Sequence, residues 1–231
     1  MRKTVLAISI VSTFASPVFA EKSGYYLGFS AGQADYDDAY DKHAGGLIAR
    51  NRAENTPLNS FNTSSTDKDG VFKIFGGYRF NQYFAVEADY TKFSDTRSNL
   101  SASDPQNFTV SNRVENELQG VGLKAVGFYP ITNSFELRAS AGLMRWKLEE
   151  KSNGEHVISP FTGDRVFTFN QDYNSTERGT SITVGLGANY NINDYFTVGL
   201  NWERINDVGE KRFAFGETDI DTYTASLQYN F

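Results

Sequence analysis

The last ten residues constrain the fold more than any other stretch. Tyr223, Ala225, Leu227, Tyr229 and Phe231 alternate with Thr222, Thr224, Ser226, Gln228 and Asn230. Drawn out as a strand, this stretch has an apolar, aromatic face opposite a face of uncharged polar groups. The same period returns along the chain. Ile182, Val184, Leu186, Ala188 and Tyr190 alternate with Ser181, Thr183, Gly185, Gly187 and Asn189, and Phe196, Val198, Leu200 and Trp202 with Thr197, Gly199, Asn201 and Glu203. Residues 72–79, 84–91 and 135–143 repeat it, while 25–36 and 118–129 fit less cleanly. Eight strands result, each long enough to cross a bilayer when tilted.

The connections alternate in length. Residues 80–83, 130–134 and 191–194 form tight turns with Asn near the tip, as turn geometry favours. Each is flanked by a Tyr six positions before a Phe, in the pairs Tyr78/Phe84, Tyr129/Phe135 and Tyr190/Phe196. Tight turns would gather these pairs into an aromatic ring at one end. The other connections, 37–69, 94–114, 149–178 and 207–220, are long and polar, and such loops are uncommon in compact soluble domains. Short turns at one end and long loops at the other mark outer-membrane barrels. The predicted fold is all-β: an eight-stranded antiparallel up-and-down transmembrane β-barrel with long extracellular loops and short periplasmic turns.

A soluble barrel with its apolar face inward is the alternative. On that reading Lys73, Arg79, Lys124, Arg138, Glu87, Asp89, Glu136 and Glu203, which lie opposite the apolar face, point to solvent. On the membrane reading they fill a lumen just wide enough for side chains. Four positive and four negative groups can neutralise one another there, where an unpaired charge would cost several kcal/mol. Either Glu87 or Glu136 could serve Arg138. The soluble reading leaves the aromatic ring, the loop asymmetry and Phe231 unexplained.

Residues 1–20 read as a signal peptide: Arg2 and Lys3 start it, 5–14 is apolar, and Val18-Phe19-Ala20 resembles a small-residue cleavage site. Residues 21–231 then form one outer-membrane β-barrel domain with 20 basic and 28 acidic residues, a net charge of −8. That acidity argues against nucleic acid as a partner. The absence of Cys excludes disulfides, thiolate–zinc sites and thiol catalysis. Mean hydropathy is −0.46, and no apolar run reaches the length of a transmembrane helix.

With the signal peptide in place, Gly24-Tyr25-Tyr26-Leu27-Gly28, Gly76-Gly77-Tyr78-Arg79-Phe80, Phe84-Ala85-Val86-Glu87-Ala88-Asp89-Tyr90 and the terminal Phe resemble the small OmpA-like barrels of Gram-negative outer membranes. The resemblance spans residues 21–231. It implies that Tyr223, Leu227, Tyr229 and Phe231 form a C-terminal signal read by the barrel-assembly machinery. It stops after strand eight, so no cell-wall tether is expected, and barrel-only members of the group serve as adhesins, serum-resistance factors or structural proteins.

No catalytic constellation emerges. His43 and His156 are the only histidines; both fall in predicted loops, away from any strand-borne Ser, so no enzyme is expected. Gly120-Val121-Gly122 lies within a strand and opens no helix, so it is no phosphate-binding turn; small lumen residues explain it. Asp35, Asp37, Asp38 and Asp41 could offer oxygens to calcium, but they lack the Gly turn and terminal Glu of an EF-hand, and no cofactor or metal is expected. The expected function is a non-enzymatic surface or structural barrel whose loops 37–69, 94–114, 149–178 and 207–220 meet a host or envelope ligand. A narrow channel for small solutes and an outer-leaflet lipid-modifying enzyme are the alternatives. Outer-membrane lipid and lipopolysaccharide are the expected surroundings. Arg50, Arg52, Arg97, Arg113, Arg165, Arg178, Lys211 and Arg212 are available to lipopolysaccharide phosphates, or serve solubility alone.

Overall fold

The computed structural model describes residues 23–36, 60–64, 68–94, 96–103, 108–158, 167–209 and 218–231. The signal peptide, His43, Asp37, Asp38, Asp41, Arg50, Arg52, Arg165, Lys211 and Arg212 lie outside them. Among the described residues there are ten strands: β1 (Gly24–Tyr36), β2 (Ser60–Ser64), β3 (Lys68–Asn81), β4 (Phe84–Phe93), β5 (Thr96–Ser103), β6 (Phe108–Pro130), β7 (Phe135–Ile158), β8 (Phe167–Asn191), β9 (Phe196–Val208) and β10 (Thr218–Asn230). All pair antiparallel, in the order β2-β5-β6-β4-β3-β1-β10-β9-β8-β7, and β7 returns to β6 to close the wall.

Eight of these strands make the closed barrel. β2 and β5 pair with each other and continue the β3 and β4 walls upward, β5 lying against the first half of β6. Paired residues trace one circuit: Tyr129, Leu137, Ala188, Leu200, Ala225, Ala31, Phe72, Lys92 and back to β6 at Gln119. The circuit closes ten residues from its start (129 to 119), a stagger that tilts the strands by roughly 35–45° and sets a narrow bore.

The three tight turns share one device. Asn81 Oδ1 accepts from the Tyr83 and Phe84 amides (2.8 and 3.0 Å). Thr132 Oγ1 accepts from Ser134 and Phe135 (3.3 and 3.0 Å), and Asn193 Oδ1 from Tyr195 and Phe196 (2.9 and 2.8 Å). Each capping residue stands midway between its Tyr and its Phe, so the repeat reads Tyr-x-x-Asn/Thr-x-x-Phe. Side-chain capping of this kind satisfies turn amides that the ladder leaves free.

Two of the predicted loops are corrected by the structure. Most of 94–114 is β5 and the start of β6, and most of 149–178 is the upper β7–β8 hairpin. The loop 37–69 contains β2 and the start of β3, and 207–220 ends in β10. His156 accordingly sits on β7, opposite Val110 and Phe169, not in a loop. β7 and β8 have 24 and 25 residues, about twice the 9–11 that the bilayer needs. From Glu149 up β7 and in the facing part of β8, backbone pairing runs on unbroken, while the sequence no longer sustains the strict apolar/polar alternation that announces the lower strands.

Within the membrane the alternation is that of the sequence. Leu27, Phe29, Ile74, Leu123, Leu143, Ile182, Leu186 and Leu200 point outward and are exposed, as lipid-facing residues must be. Higher up, the alternation changes phase. On β7 the inward residues become Met144, Trp146 and Leu148, while Arg145, Lys147 and Glu149 face out. The same exchange occurs with Tyr36 inside and Asp35 outside, Phe93 against Lys92, Leu118 against Glu117, Ile205 against Arg204, and Ile220 against Asp221. A β-bulge at Asp207 (φ 53°) shifts the β9–β10 register, so Ile205 and Val208 both turn inward. Tyr36, Val71, Phe93, Leu118, Met144, Trp146, Leu148, Ile205, Val208 and Ile220 thereby form a buried apolar layer across the barrel. The barrel is of membrane type below this boundary, polar within and apolar without, and of water-soluble type above it.

Candidate functional site

All eight predicted lumen charges point inward, and the structure gathers them in three groups. Nearest the periplasm, Arg79 forks onto Glu136, with Nη1–Oε1 3.2 Å and Nη2–Oε2 2.9 Å. Its remaining donors reach the Asn81 and Gln82 carbonyls of the first turn, at 3.1 and 2.6 Å. The guanidinium also sits 4.0 Å from the Phe128 ring centroid. Asn189 Nδ2 donates to Glu136 Oε1 at 3.1 Å. The middle group joins Arg138 Nη2 to Glu87 Oε1 at 2.7 Å, and the Tyr26 hydroxyl donates to Glu87 Oε2 at 3.0 Å. Of the two carboxylates open to Arg138 from sequence, Glu87 is its partner.

The third group is a chain of four charges. Lys73 Nζ lies 3.0 Å from Glu203 Oε1, Lys124 Nζ lies 2.6 Å from Glu203 Oε2, and Lys124 Nζ lies 2.7 Å from Asp89 Oδ1. Thr91 Oγ1 donates to Asp89 Oδ2 at 3.0 Å. Gly122 is required here, since a Cβ on it would stand 2.5 Å from Asp89 Oδ1. The four positive and four negative groups of the network carry no net charge. A cavity of about 20 Å³ lies among Ser30, Lys73, Glu87, Arg138, Asn201 and Glu203, room for about one water.

Three residues of this network, Tyr26, Thr91 and Asn189, escape a reading confined to charges. Their signal is the strand phase, because each occupies an inward position next to a carboxylate. The apolar layer above is likewise recorded in the chain as the shifted alternation of Met144, Trp146 and Leu148. Trp146 is anchored by Nε1 donating to Ser181 Oγ at 2.9 Å, and Ser181 Oγ donates to the Asp207 carbonyl at 3.0 Å. Gly179 carries no side chain, which leaves space for the Trp146 indole.

The structure places Tyr78, Phe84, Tyr129, Phe135, Tyr190 and Phe196 on the outer face at the turn end. Tyr25, Phe80, Tyr195, Tyr229 and Phe231 join them, with ring centroids 4.9 Å apart for Tyr25–Tyr78 and 5.3 Å for Phe196–Tyr229. Such belts lie at membrane–water boundaries. Tyr223, Leu227 and Tyr229 follow one another on the outer side of β10. The Phe231 amide donates to the Tyr25 carbonyl at 3.0 Å. Among the described residues, no group of three His, Asp or Glu converges as metal ligands.

A closed antiparallel barrel with lipid-facing apolar side chains and an aromatic belt at its turn end narrows the comparison to one kind of protein. The model of the Outer membrane protein beta-barrel domain matches residues 4–231. The chain belongs to this family. Outer membrane protein A of Serratia marcescens is 23% identical over 235 residues, and that of Escherichia coli O157:H7 is 25% identical over 234. Both alignments cover 100% of this chain but 56% and 55% of the relatives. This barrel protein therefore spans about half the length of the curated relatives it matches. Among solved structures, Neisserial surface protein A aligns with 13% identity and a TM-score of 0.46, covering 90% of this chain and 98% of that one. Ail, the attachment invasion locus protein of Yersinia pestis, aligns with 13% identity and a TM-score of 0.43, covering 90% and 99%. The barrel protein resides in the outer membrane, its short turns toward the periplasm and its long hairpins outside.

Proposed function

We propose that this protein is a sealed, non-enzymatic scaffold of the outer membrane, and that its extracellular hairpins are its interaction surface in adhesion, envelope integrity or host-factor binding. The observation that carries this reading is the filled lumen: a neutral ion-pair network lies beneath a buried apolar layer, and each blocks ions by its own physics. An ion entering the apolar layer loses its hydration, and one entering the network must break pairs that are already satisfied. The strands that rise above the bilayer give the hairpins a rigid base, the arrangement in which surface segments carry binding. Purified protein in planar bilayers tests the seal. Silence at 100 mV supports it, and a steady nanosiemens conductance would replace it with the small-solute channel.

Two further elements belong to this proposal. Cleavage after Ala20 would release the mature barrel, and Phe231 would act in assembly as the end of an alternating aromatic strand. A chain ending at Asn230 is expected to be exported normally yet to yield less heat-modifiable barrel in the membrane fraction. Equal yields from the two chains would remove the assembly role from Phe231.

A further inference from the structure

The lumen cavity touches two ion pairs that share no strand. Arg138 on β7 pairs with Glu87 on β4, and Lys73 on β3 pairs with Glu203 on β9. All four side chains line the same cavity of about 20 Å³. Among the described residues, neither cation uses all of its donors. The Arg138 guanidinium gives one hydrogen bond, from Nη2 to Glu87 Oε1 at 2.7 Å, and its other N–H groups are left over. Lys73 Nζ gives one, to Glu203 Oε1 at 3.0 Å, and has N–H groups to spare as well.

Elsewhere on the same wall an acceptor is left over. Asn201 Nδ2 donates to Ser226 Oγ at 3.2 Å, while Asn201 Oδ1 is buried and accepts no hydrogen bond among the described residues. A Cβ at position 187 would stand 2.5 Å from that oxygen, so glycine there keeps room for it. Ser30, Ser140 and Thr224 complete the polar part of the wall with hydroxyls. A buried acceptor without a partner is costly, and in a native fold such a group points to an ordered water or an ion. Charge and size decide between the two. Two cations and two carboxylates face the cavity, so an ion would upset a balance already struck. A neutral molecule that both accepts and donates serves each side, and the space is that of a single water.

We infer that this cavity is a hydration site, in which one water accepts from Arg138 and Lys73 and donates to Asn201 Oδ1 and to a neighbouring hydroxyl. Four such bonds are within what a buried water makes. The water joins the Arg138–Glu87 pair to the Lys73–Glu203 pair, and through Lys124 to Asp89, as one hydrogen-bonded body. Asn201 is thereby a positioning residue for the ion pairs, although it carries no charge itself. The site rests on the lumen network and not on the hairpins or on a silent pore, so hydration and conductance can fail independently.

High-resolution crystals of the full barrel grown in sodium bromide test the occupant. One peak is expected within roughly 2.7–3.2 Å of Asn201 Oδ1 and of an Arg138 nitrogen, without anomalous signal. An empty cavity would overturn the site, and an anomalous bromide peak would assign an anion and overturn the water. A mutant cycle tests the bridge. Unfolding equilibria of E87Q, K73M and the double variant in phospholipid vesicles should depart from additivity by about fivefold, the net worth of one hydrogen bond. In an N201L background that factor should largely vanish. An undiminished factor would show that direct charge interaction alone links the pairs, and would overturn the bridge. Gel heat-modifiability verifies that each variant is folded, and the wild-type crystal decides the occupant whichever variants fold.

Discussion

Replacing Lys124 with methionine is expected to cost the barrel about 3–5 kcal/mol, because it removes one partner from a buried ion pair and leaves charge stranded. Lys124 is 2% exposed and touches two carboxylates. Asp89 would keep the Thr91 hydroxyl, and Glu203 would keep Lys73. Neither contact restores balance, since two acids, Asp89 and Glu203, would then face one base, Lys73. Urea unfolding in phospholipid vesicles, followed by tryptophan fluorescence, measures the loss. Adding D89N should return much of it, because a neutral amide no longer demands a cation, and the resulting double-mutant cycle isolates the pair. A cost under about 1 kcal/mol would place the network in bulk-like water, where exposed pairs contribute that little.

A comparable loss is expected at Trp146. It is 4% exposed in the apolar layer, and truncating a buried Trp to Ala removes about 3–5 kcal/mol of packing. Trp146→Phe keeps most of that volume and gives up the Nε1 bond to Ser181, whose hydroxyl still donates to the Asp207 carbonyl, so it should cost only about 0.5–1.5 kcal/mol, the net worth of one hydrogen bond. The two changes also differ from Lys124→Met in where they act. Loss of Trp146 should loosen the upper barrel first, seen as faster proteolysis of the β7–β8 hairpin while the membrane-embedded half stays heat-modifiable. Simultaneous loss of both halves would show that the two layers unfold as one.

The membrane-embedded half of this fold was legible in the sequence because lipid and lumen impose opposite chemistries on alternate residues. Ile182, Val184 and Leu186 could face only one way once Ser181, Thr183 and Gly185 faced the other. Strands beyond the bilayer lose that contrast, which is why β5 and the upper part of β8 read as loops. The charged residues were legible as a set but not as pairs: Lys73 and Glu203 meet across 130 positions of sequence, and only the barrel's stagger decides which inward residues share a height. The apolar layer was written in the chain as well. Met144, Trp146 and Leu148 keep the period of two but run one position out of step, and hydropathy alone attaches no meaning to such a slip until a boundary is known.

That boundary also works as a depth gauge. A barrel with a uniformly apolar exterior could ride higher or lower in its bilayer at modest cost, accommodating lipids of different thickness. Here a rise would lift Leu143 and Ile182 into water, and a drop would push Arg145 and Arg204 into hydrocarbon, where a charged side chain on the lipid face costs about 0–1 kcal/mol near the interface and rises toward about 2–4 kcal/mol at the midplane. Because the exchange of phase occurs on strand after strand around the circumference, tilting is resisted as firmly as sinking. The hairpins therefore stand at a fixed height and attitude above the cell surface, whatever the lipid beneath them.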